Sequence, residues 1–109
     1  MDERSLVFIK HMIENIEKIE LFTKDISKEQ LLTDELRQYA IIRAIEIIGE
    51  AAKNIPKVIK EANPKITWKE IIGARDIIIH KYFGVDLDII WNIITKDLPK
   101  LKKQLKEIK

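Results

Sequence analysis

Hydrophobic residues recur at intervals of three and four along most of the chain, which is the spacing that places them on one face of an α-helix. In the first segment this apolar stripe consists of Leu6, Ile9, Met12, Ile13, Ile16, Ile19 and Phe22. A second stripe runs from Leu36 to Ala51, and a third from Leu87 to Ile108. Only three glycines and three prolines interrupt the pattern. The pattern therefore predicts an all-α protein.

Polar residues with the spacing of helix caps indicate where the helices begin. Asp2 is a candidate N-cap, Ser27 to Gln30 has the spacing of a capping box, and Thr67 to Glu70 repeats that spacing. Asp86 can cap the last helix, which Pro99 should kink. These signals predict four main helices plus a short one, joined by short connections. An up-and-down bundle is the architecture that fits them best.

Length and composition bound the class of protein. A chain of 109 residues is one domain's worth, so we expect a single helical domain over residues 1–109. The chain has no cysteine and only two histidines, His11 and His80, so we expect neither a metal site nor a cofactor. No apolar run approaches the roughly 18 residues that span a bilayer, and the charged N-terminus does not fit a signal peptide. We therefore expect a cytoplasmic protein with no membrane contact.

The net charge of +2 is too small to indicate nucleic-acid binding by itself. The C-terminal end is locally basic, however, because residues 96–109 hold six lysines against Asp97 and Glu107. The better-supported interpretation is a solvated helix face whose cations complement the helix C-terminus. A phosphate-binding surface is the alternative.

Residues 75–82, with the sequence RDIIIHKY, set four polar groups among isoleucines. Each residue of a helix advances about 100° around its axis, so Asp76 and His80 are neighbours while Arg75 and His80 diverge by about 140°. The Asp76 carboxylate can accept an imidazole N–H and so orient His80. Arg75 and His80 can reach one ligand only in a cleft beside the helix or at the boundary with a second subunit. This helix is expected to end near Gly84, where glycine permits a left-handed C-cap.

Two interpretations of this cluster remain open. The polar groups can simply satisfy one another, as buried polar groups usually must. A functional role is at least as well supported. A protein in which apolar residues replace a buried ion pair is often no less stable, so stability alone does not explain why the polar groups are there. A histidine can exchange protons near neutral pH and an arginine can bind phosphate, a combination that suits metal-free RNA cleavage by the ribose 2′-hydroxyl. Such cleavage needs one base and one acid, and a symmetric dimer would supply the second histidine.

The spacing of Arg75, His80 and Tyr82 resembles the R-x4-H-x-Y pattern of the HepT-like toxins of the HEPN superfamily. The segments AIEIIGEAAKNIP at 44–56 and ITWKEIIGARDIIIHKYFGVD at 66–86 are also similar to that family, as are Trp91 and DLPKLKKQL at 97–105. The resemblance covers nearly the whole chain.

The resemblance implies a HEPN-like helical homodimer in which the two motifs face each other across an interfacial cleft. The implied activity is that of a toxin, a metal-independent endoribonuclease with Arg75 and His80 as catalytic residues. Asp76 would orient His80 or the RNA substrate. Tyr82 would be the residue to which a partner minimal nucleotidyltransferase, the antitoxin, attaches AMP. The added phosphate charge and bulk would then block RNA.

Other assignments stay open at this point. The chain can instead be a non-catalytic helical dimer that binds a nucleotide, RNA or a nucleotidyltransferase partner, or a dimer in which the cluster only holds the interface. Glu46 and Glu50 can hold a cation, although pairing with Arg43 and Lys53 is better supported. Trp68 and Trp91 are expected in the core, with base stacking as the alternative. His11 is expected at the surface or at an interface.

Overall fold

The computed structural model describes residues 1–80 and 86–108, and it describes side chains for residues 1–74 and 86–108. Its elements are α1 (Glu3–Thr23), α2 (Lys28–Leu32), α3 (Glu35–Lys53), α4 (Lys57–Ala62), α5 (Trp68–His80), α6 (Leu87–Asn92), a π-helical turn (Ile93–Asp97) and α7 (Leu98–Lys106). Every element in this part of the chain is helical, which confirms the all-α class. Four main helices are present if α6, the π-helical turn and α7 count as one. The structure adds a second short helix, α2, to the single one predicted.

The predicted caps start three of these helices. Asp2 Oδ1 accepts a hydrogen bond from the backbone N–H three residues on (2.9 Å) at the start of α1. At α2, the backbone N–H of Gln30 donates to Ser27 Oγ (3.1 Å), and the backbone N–H of Ser27 donates to Gln30 Oε1 (2.8 Å). Asp86 accepts from a backbone N–H at the start of α6 (2.9 Å). Each cap satisfies amide groups that a helix terminus leaves without a partner, so local sequence sets these boundaries.

The core lies where α3 packs between α1 and α5, with α7 against α1. The fully buried side chains of α1 include Met12 and Ile16, each 0% exposed, and α3 contributes Ile41, also 0% exposed. Ile66 and Trp68 extend the same cluster to the start of α5. None of the described helices combines the length and the apolar character that crossing a bilayer requires.

The last main helix is irregular just before Pro99. Its residues Ile93–Asp97 form a π-helical turn, and the backbone N–H of Leu98 donates to the carbonyl of Ile93, five residues earlier. Proline has no N–H, and its ring collides with the carbonyl four residues earlier in a regular α-helix. A wider turn ahead of the proline relieves that collision. The structure thus has a π-helical turn just before Pro99, the residue at which the sequence predicted a kink.

Ion pairs made by two lysines tie the C-terminal helix to the N-terminal part of the chain. Lys28, in α2, pairs with Asp88 at the start of α6, and this hydrogen bond raises the pKa of Lys28. In α7, Lys102 Nζ lies 2.8 Å from Glu20 Oε1 and 3.5 Å from a carboxylate oxygen of Glu17. The hydrogen bond to Glu20 is the main cause that raises the pKa of Lys102. Partly exposed pairs add little to stability, so their main effect is to fix the orientation of the helix.

Replacing Ile16 with alanine tests the packing of α1 against α3. Because Ile16 is 0% exposed, the substitution removes buried methyl groups and leaves a cavity, and we expect a loss of about 2–5 kcal/mol in the free energy of unfolding. Chemical denaturation followed by circular dichroism measures this loss. Leu21→Ala is the matched control on the same helix, since Leu21 is 70% exposed and should change stability by less than about 0.5 kcal/mol. Equal losses in both variants would contradict the core as described.

Gly73 lies in the interior of α5, where glycine is less favourable than alanine by about 0.5–1 kcal/mol. A methyl group at this position would meet no described atom within 4 Å outside the local helix backbone. We therefore expect Gly73→Ala to raise the free energy of unfolding by about that amount. The midpoint of urea denaturation measures the change. A lower midpoint would contradict the open space around Gly73.

Candidate active site

The predicted site residues fall on the last two turns of α5. Arg75, Asp76 and His80 all lie within this helix, which runs without interruption from Trp68 to His80. Their side chains lie outside the described part of the structure, and so does the whole of Tyr82, together with the helix end predicted near Gly84. The structure thus places the backbones of the first three residues on one helix, and the position of Tyr82 stays a prediction.

The helical backbone fixes how these positions are arranged around α5. Positions 75 and 80 are separated by about 140° around the axis and by about 7.5 Å along it. Positions 76 and 80 are one turn apart, so they lie on the same face of the helix. A ligand that contacts both position 75 and position 80 must therefore reach around the helix. A second surface that closes over α5 gives the simplest geometry for such a site.

The start of α5 is anchored by Trp68. Its side chain is only 8% exposed, and its indole N–H donates to the carbonyl of Asn63 (3.1 Å). The amide of Ile71 donates to the carbonyl of Thr67 (3.1 Å), which closes the first turn. Trp91 is half-buried and packs against the core. Trp68 thus occupies the core position expected for it, whereas Trp91 lies at the edge of the core, and Trp68 helps to fix the axis on which the candidate residues lie.

A cleft of about 470 Å³ runs between α3, α5 and the C-terminal helix. Its floor is apolar and includes Ile48 of α3, Ile71 of α5 and Leu101 of α7. Its lining also includes Ala74, the residue before Arg75. The polar and charged residues that line the cleft are Lys65, Thr67, Glu70, Asp97, Lys100 and Gln104. The sequence does not indicate that α7 lies near α5, because the two helices are far apart in the chain and meet only through tertiary packing.

A second cleft, of about 330 Å³, lies between α1 and α3. His11 is exposed and lines it together with Arg43, Glu46 and Glu50. The guanidinium Nη1 of Arg43 lies 3.7 Å from Glu46 Oε2, which confirms the surface pairing expected for Glu46. Within residues 1–74 and 86–108, no group of three or more histidine, aspartate or glutamate side chains is arranged to hold a metal ion.

Comparison with known proteins identifies the family. A family model described as ribonuclease HepT-like matches residues 12–108. The chain is 44% identical over 102 residues to a probable ribonuclease HepT of Thermococcus cleftensis, covering 94% of this chain and 93% of that protein. It is 46% identical over 101 residues to a putative RNase of Caldanaerobacter subterraneus subsp. tengcongensis, covering 93% of this chain and 90% of that protein.

One relative is longer and contains a similar sequence as part of a larger protein. The chain is 47% identical over 102 residues to a gamma-glutamylcyclotransferase and putative RNase of Methanocaldococcus jannaschii, and the match covers 94% of this chain but only 46% of that relative. No solved structure matches the chain significantly. The match to the family model and the identities over most of the chain confirm the resemblance seen in the sequence, and the chain belongs to the HepT-like ribonuclease family.

Proposed function

We propose that this chain is the toxin of a toxin–antitoxin pair and acts in the cytoplasm as a homodimeric, metal-independent endoribonuclease. Membership of the HepT-like family is the observation that carries the proposal. The presence of Arg75 and His80 on one continuous helix supports it further. Both residue types suit RNA cleavage, since imidazole transfers protons near neutral pH and guanidinium binds phosphate.

The cleavage step follows from these roles. His80 of one subunit removes the proton from a ribose 2′-hydroxyl, and the 2′-oxygen attacks the adjacent phosphorus. The bond from phosphorus to the 5′-oxygen breaks, and that oxygen takes a proton from His80 of the partner subunit. The products are a 2′,3′-cyclic phosphate and a 5′-hydroxyl. Arg75 binds the phosphate and stabilises the charge that develops on it, while Asp76 orients His80.

A dimer is part of the proposal because one chain alone lacks the required groups. General acid–base cleavage uses two proton-transfer groups, and His80 is the only histidine in the motif. The divergence of about 140° between positions 75 and 80 also favours a site closed by a second copy of α5. Two-fold symmetry would bring the same residues from both subunits to one cleft.

The proposed control of this activity is the transfer of AMP to Tyr82. The partner is a minimal nucleotidyltransferase, the antitoxin of the pair. Tyr82 is two residues beyond His80, so an adduct there would add negative charge and bulk close to the helix that carries the motif. The adduct would then compete with an RNA phosphate for Arg75. Modification and RNA binding would exclude each other.

Substitution of the motif tests the ribonuclease. In EDTA, purified wild-type protein should cleave single-stranded RNA and leave cyclic-phosphate ends, detected by mass spectrometry of the products. Arg75→Ala and His80→Ala should each lower the rate by at least about 100-fold, because each removes a group that acts in the transition state.

Two controls make that assay decisive. Circular dichroism should show the same helical content in both variants, and Glu61→Gln, on the exposed side of α4, should keep wild-type activity. Equal cleavage by wild type and both motif variants would point to a contaminating nuclease and refute the assignment. Tight RNA binding without cleavage would instead support a non-catalytic RNA-binding dimer.

Intact-mass measurement tests the modification of Tyr82. After co-expression with a minimal nucleotidyltransferase from the same operon, the wild-type chain should gain the mass of one or more AMP groups and lose its ribonuclease activity. Tyr82→Phe should gain no mass, because it lacks the accepting hydroxyl. Tyr39→Phe is the matched control, since Tyr39 is the other tyrosine of the chain and lies in α3, and it should still be modified. An adduct that persists in Tyr82→Phe would show that another residue accepts AMP.

A further inference from the structure

Helix α7 differs in its charges from the other described helices. Its nine residues contain Lys100, Lys102, Lys103 and Lys106 and no acidic residue. In α1, α3, α4 and α5, cations alternate with acids, and α7 is the one helix of the described part that carries cations alone. Lys96, one turn before α7, continues the basic surface. The whole chain is nearly balanced, so this clustering is local.

Contacts on both sides fix the orientation of α7. The buried face of the helix consists of Leu98, Leu101 and Leu105. On one side, Lys102 pairs with Glu17 and Glu20 of α1, and its side chain is 23% exposed. On the other side, the Gln104 amide donates to the carbonyl of Lys65 (3.2 Å), just before α5. The helix is therefore held in one orientation about its own axis.

This orientation directs three lysines away from the core. Since each residue advances about 100°, Lys100 and Lys103 lie about 130° and 170° from the centre of the leucine face. Lys96 lies one turn earlier, and all three residues are exposed. We call Lys96, Lys100 and Lys103 the lysine ridge. Within the described residues none of the three forms an ion pair, whereas Lys102 has two acidic partners.

Two ordinary explanations do not cover the lysine ridge. Cations in the last turn of a helix complement its dipole, but that effect is confined to the final turn and does not reach Lys96 or Lys100. Pairing with an acid one turn away, as Lys10 makes with Glu14 (3.9 Å) and Lys57 with Glu61 (3.7 Å), does not neutralise the lysine ridge, because none of its three lysines forms an ion pair within the described residues. The charge of the lysine ridge is therefore available to solvent ions or to a polyanion.

The position of the lysine ridge connects it to the candidate site. Lys100 lines the same cleft as Ala74, the residue that precedes Arg75 on α5. The lysine ridge extends about 10.5 Å along the helix axis from Lys96 to Lys103. A nucleic-acid strand in a duplex carries one phosphate per about 3.4 Å, so this length can contact two or three phosphates of one strand.

We propose that the lysine ridge of Lys96, Lys100 and Lys103 binds the phosphodiester backbone of the RNA strand outside the residues that cleave it. The proposal rests on the proposed ribonuclease function and extends it, since it assigns a substrate-binding surface to α7. The lysine ridge would hold the strand through its charge, without reading the sequence. Lys102 would contribute nothing to this contact, because its charge is already neutralised by Glu17 and Glu20.

The salt dependence of RNA binding tests the proposal. A fluorescent single-stranded 2′-O-methyl RNA is the probe, because it has the same phosphates but lacks the attacking hydroxyl and stays intact. Its affinity is measured by fluorescence anisotropy at several salt concentrations, for wild type and for the lysine-ridge variant. This triple variant combines Lys96→Gln, Lys100→Gln and Lys103→Gln. On a single strand, each phosphate contact adds about 0.7 to the slope with which the logarithm of the affinity falls as the logarithm of the salt concentration rises. Removing three such contacts in the triple variant should therefore reduce this slope by about 2. At low salt the affinity of the triple variant for the RNA should be at least about tenfold lower than that of wild type.

The matched control removes the same charge elsewhere. A triple variant with Lys10→Gln, Lys24→Gln and Lys57→Gln also changes the net charge from +2 to −1. These three exposed lysines lie in α1, at the end of α1 and in α4, respectively. This control should keep the wild-type slope, and circular dichroism should show that both triple variants are folded. Equal losses of affinity in the two triple variants would mean that only bulk charge matters, and this result would overturn the proposal. An unchanged slope in the lysine-ridge variant would overturn it as well.

Cleavage of unmodified RNA by the same proteins separates this proposal from the ribonuclease proposal. If wild type cleaves RNA and the lysine-ridge variant keeps the wild-type slope, the ribonuclease proposal stands and the lysine-ridge proposal fails. If wild type does not cleave RNA but the lysine-ridge variant alone loses salt-dependent binding, α7 is an RNA-binding surface on a chain without this catalysis. If both the ribonuclease proposal and the lysine-ridge proposal hold, the lysine-ridge variant should cleave RNA with a higher KM and with a kcat close to that of wild type.

Discussion

The packing of α3 between α1 and α5 is the contact on which the rest of the structure depends. Its buried face combines isoleucines, such as Ile41 and Ile48, with Ala44 and Ala52, which let neighbouring helices approach closely. Because α3 contacts α1 on one side and α5 on the other, the axis of α5 is set by the core. The last turns of α5, which carry the candidate residues, inherit that position.

The fold could largely be predicted from the sequence, because the signals that define it are local. The caps at Asp2, Ser27 and Asp86 and the apolar stripes give the helices and most of their starts. The cap at Ser27 indicated the start of α2, but five residues are too few to show a periodicity, so α2 was not counted among the predicted helices. The sequence predicted a kink at Pro99 but not the π-helical turn that precedes this residue.

The candidate site could be predicted only in part. The motif of Arg75, His80 and Tyr82, together with the similar segments along most of the chain, gives the family, and the local pattern around the motif gives the helix. The surroundings of α5 could not be predicted, because Lys100 enters the same cleft only through tertiary packing. For the same reason the sequence could not tell which lysine of α7 is neutralised. That depends on Glu20, which is 82 residues from Lys102.

The proposed mechanism requires that two subunits build one active site. It can be tested by mixing wild-type and His80→Ala subunits in varying proportions, allowing them to exchange, and measuring RNA cleavage in each mixture. If both histidines serve one composite site, activity should follow the square of the wild-type fraction and fall to about one quarter in an equal mixture. Activity that follows the wild-type fraction linearly, at about one half in an equal mixture, would contradict a shared site and place catalysis within single subunits.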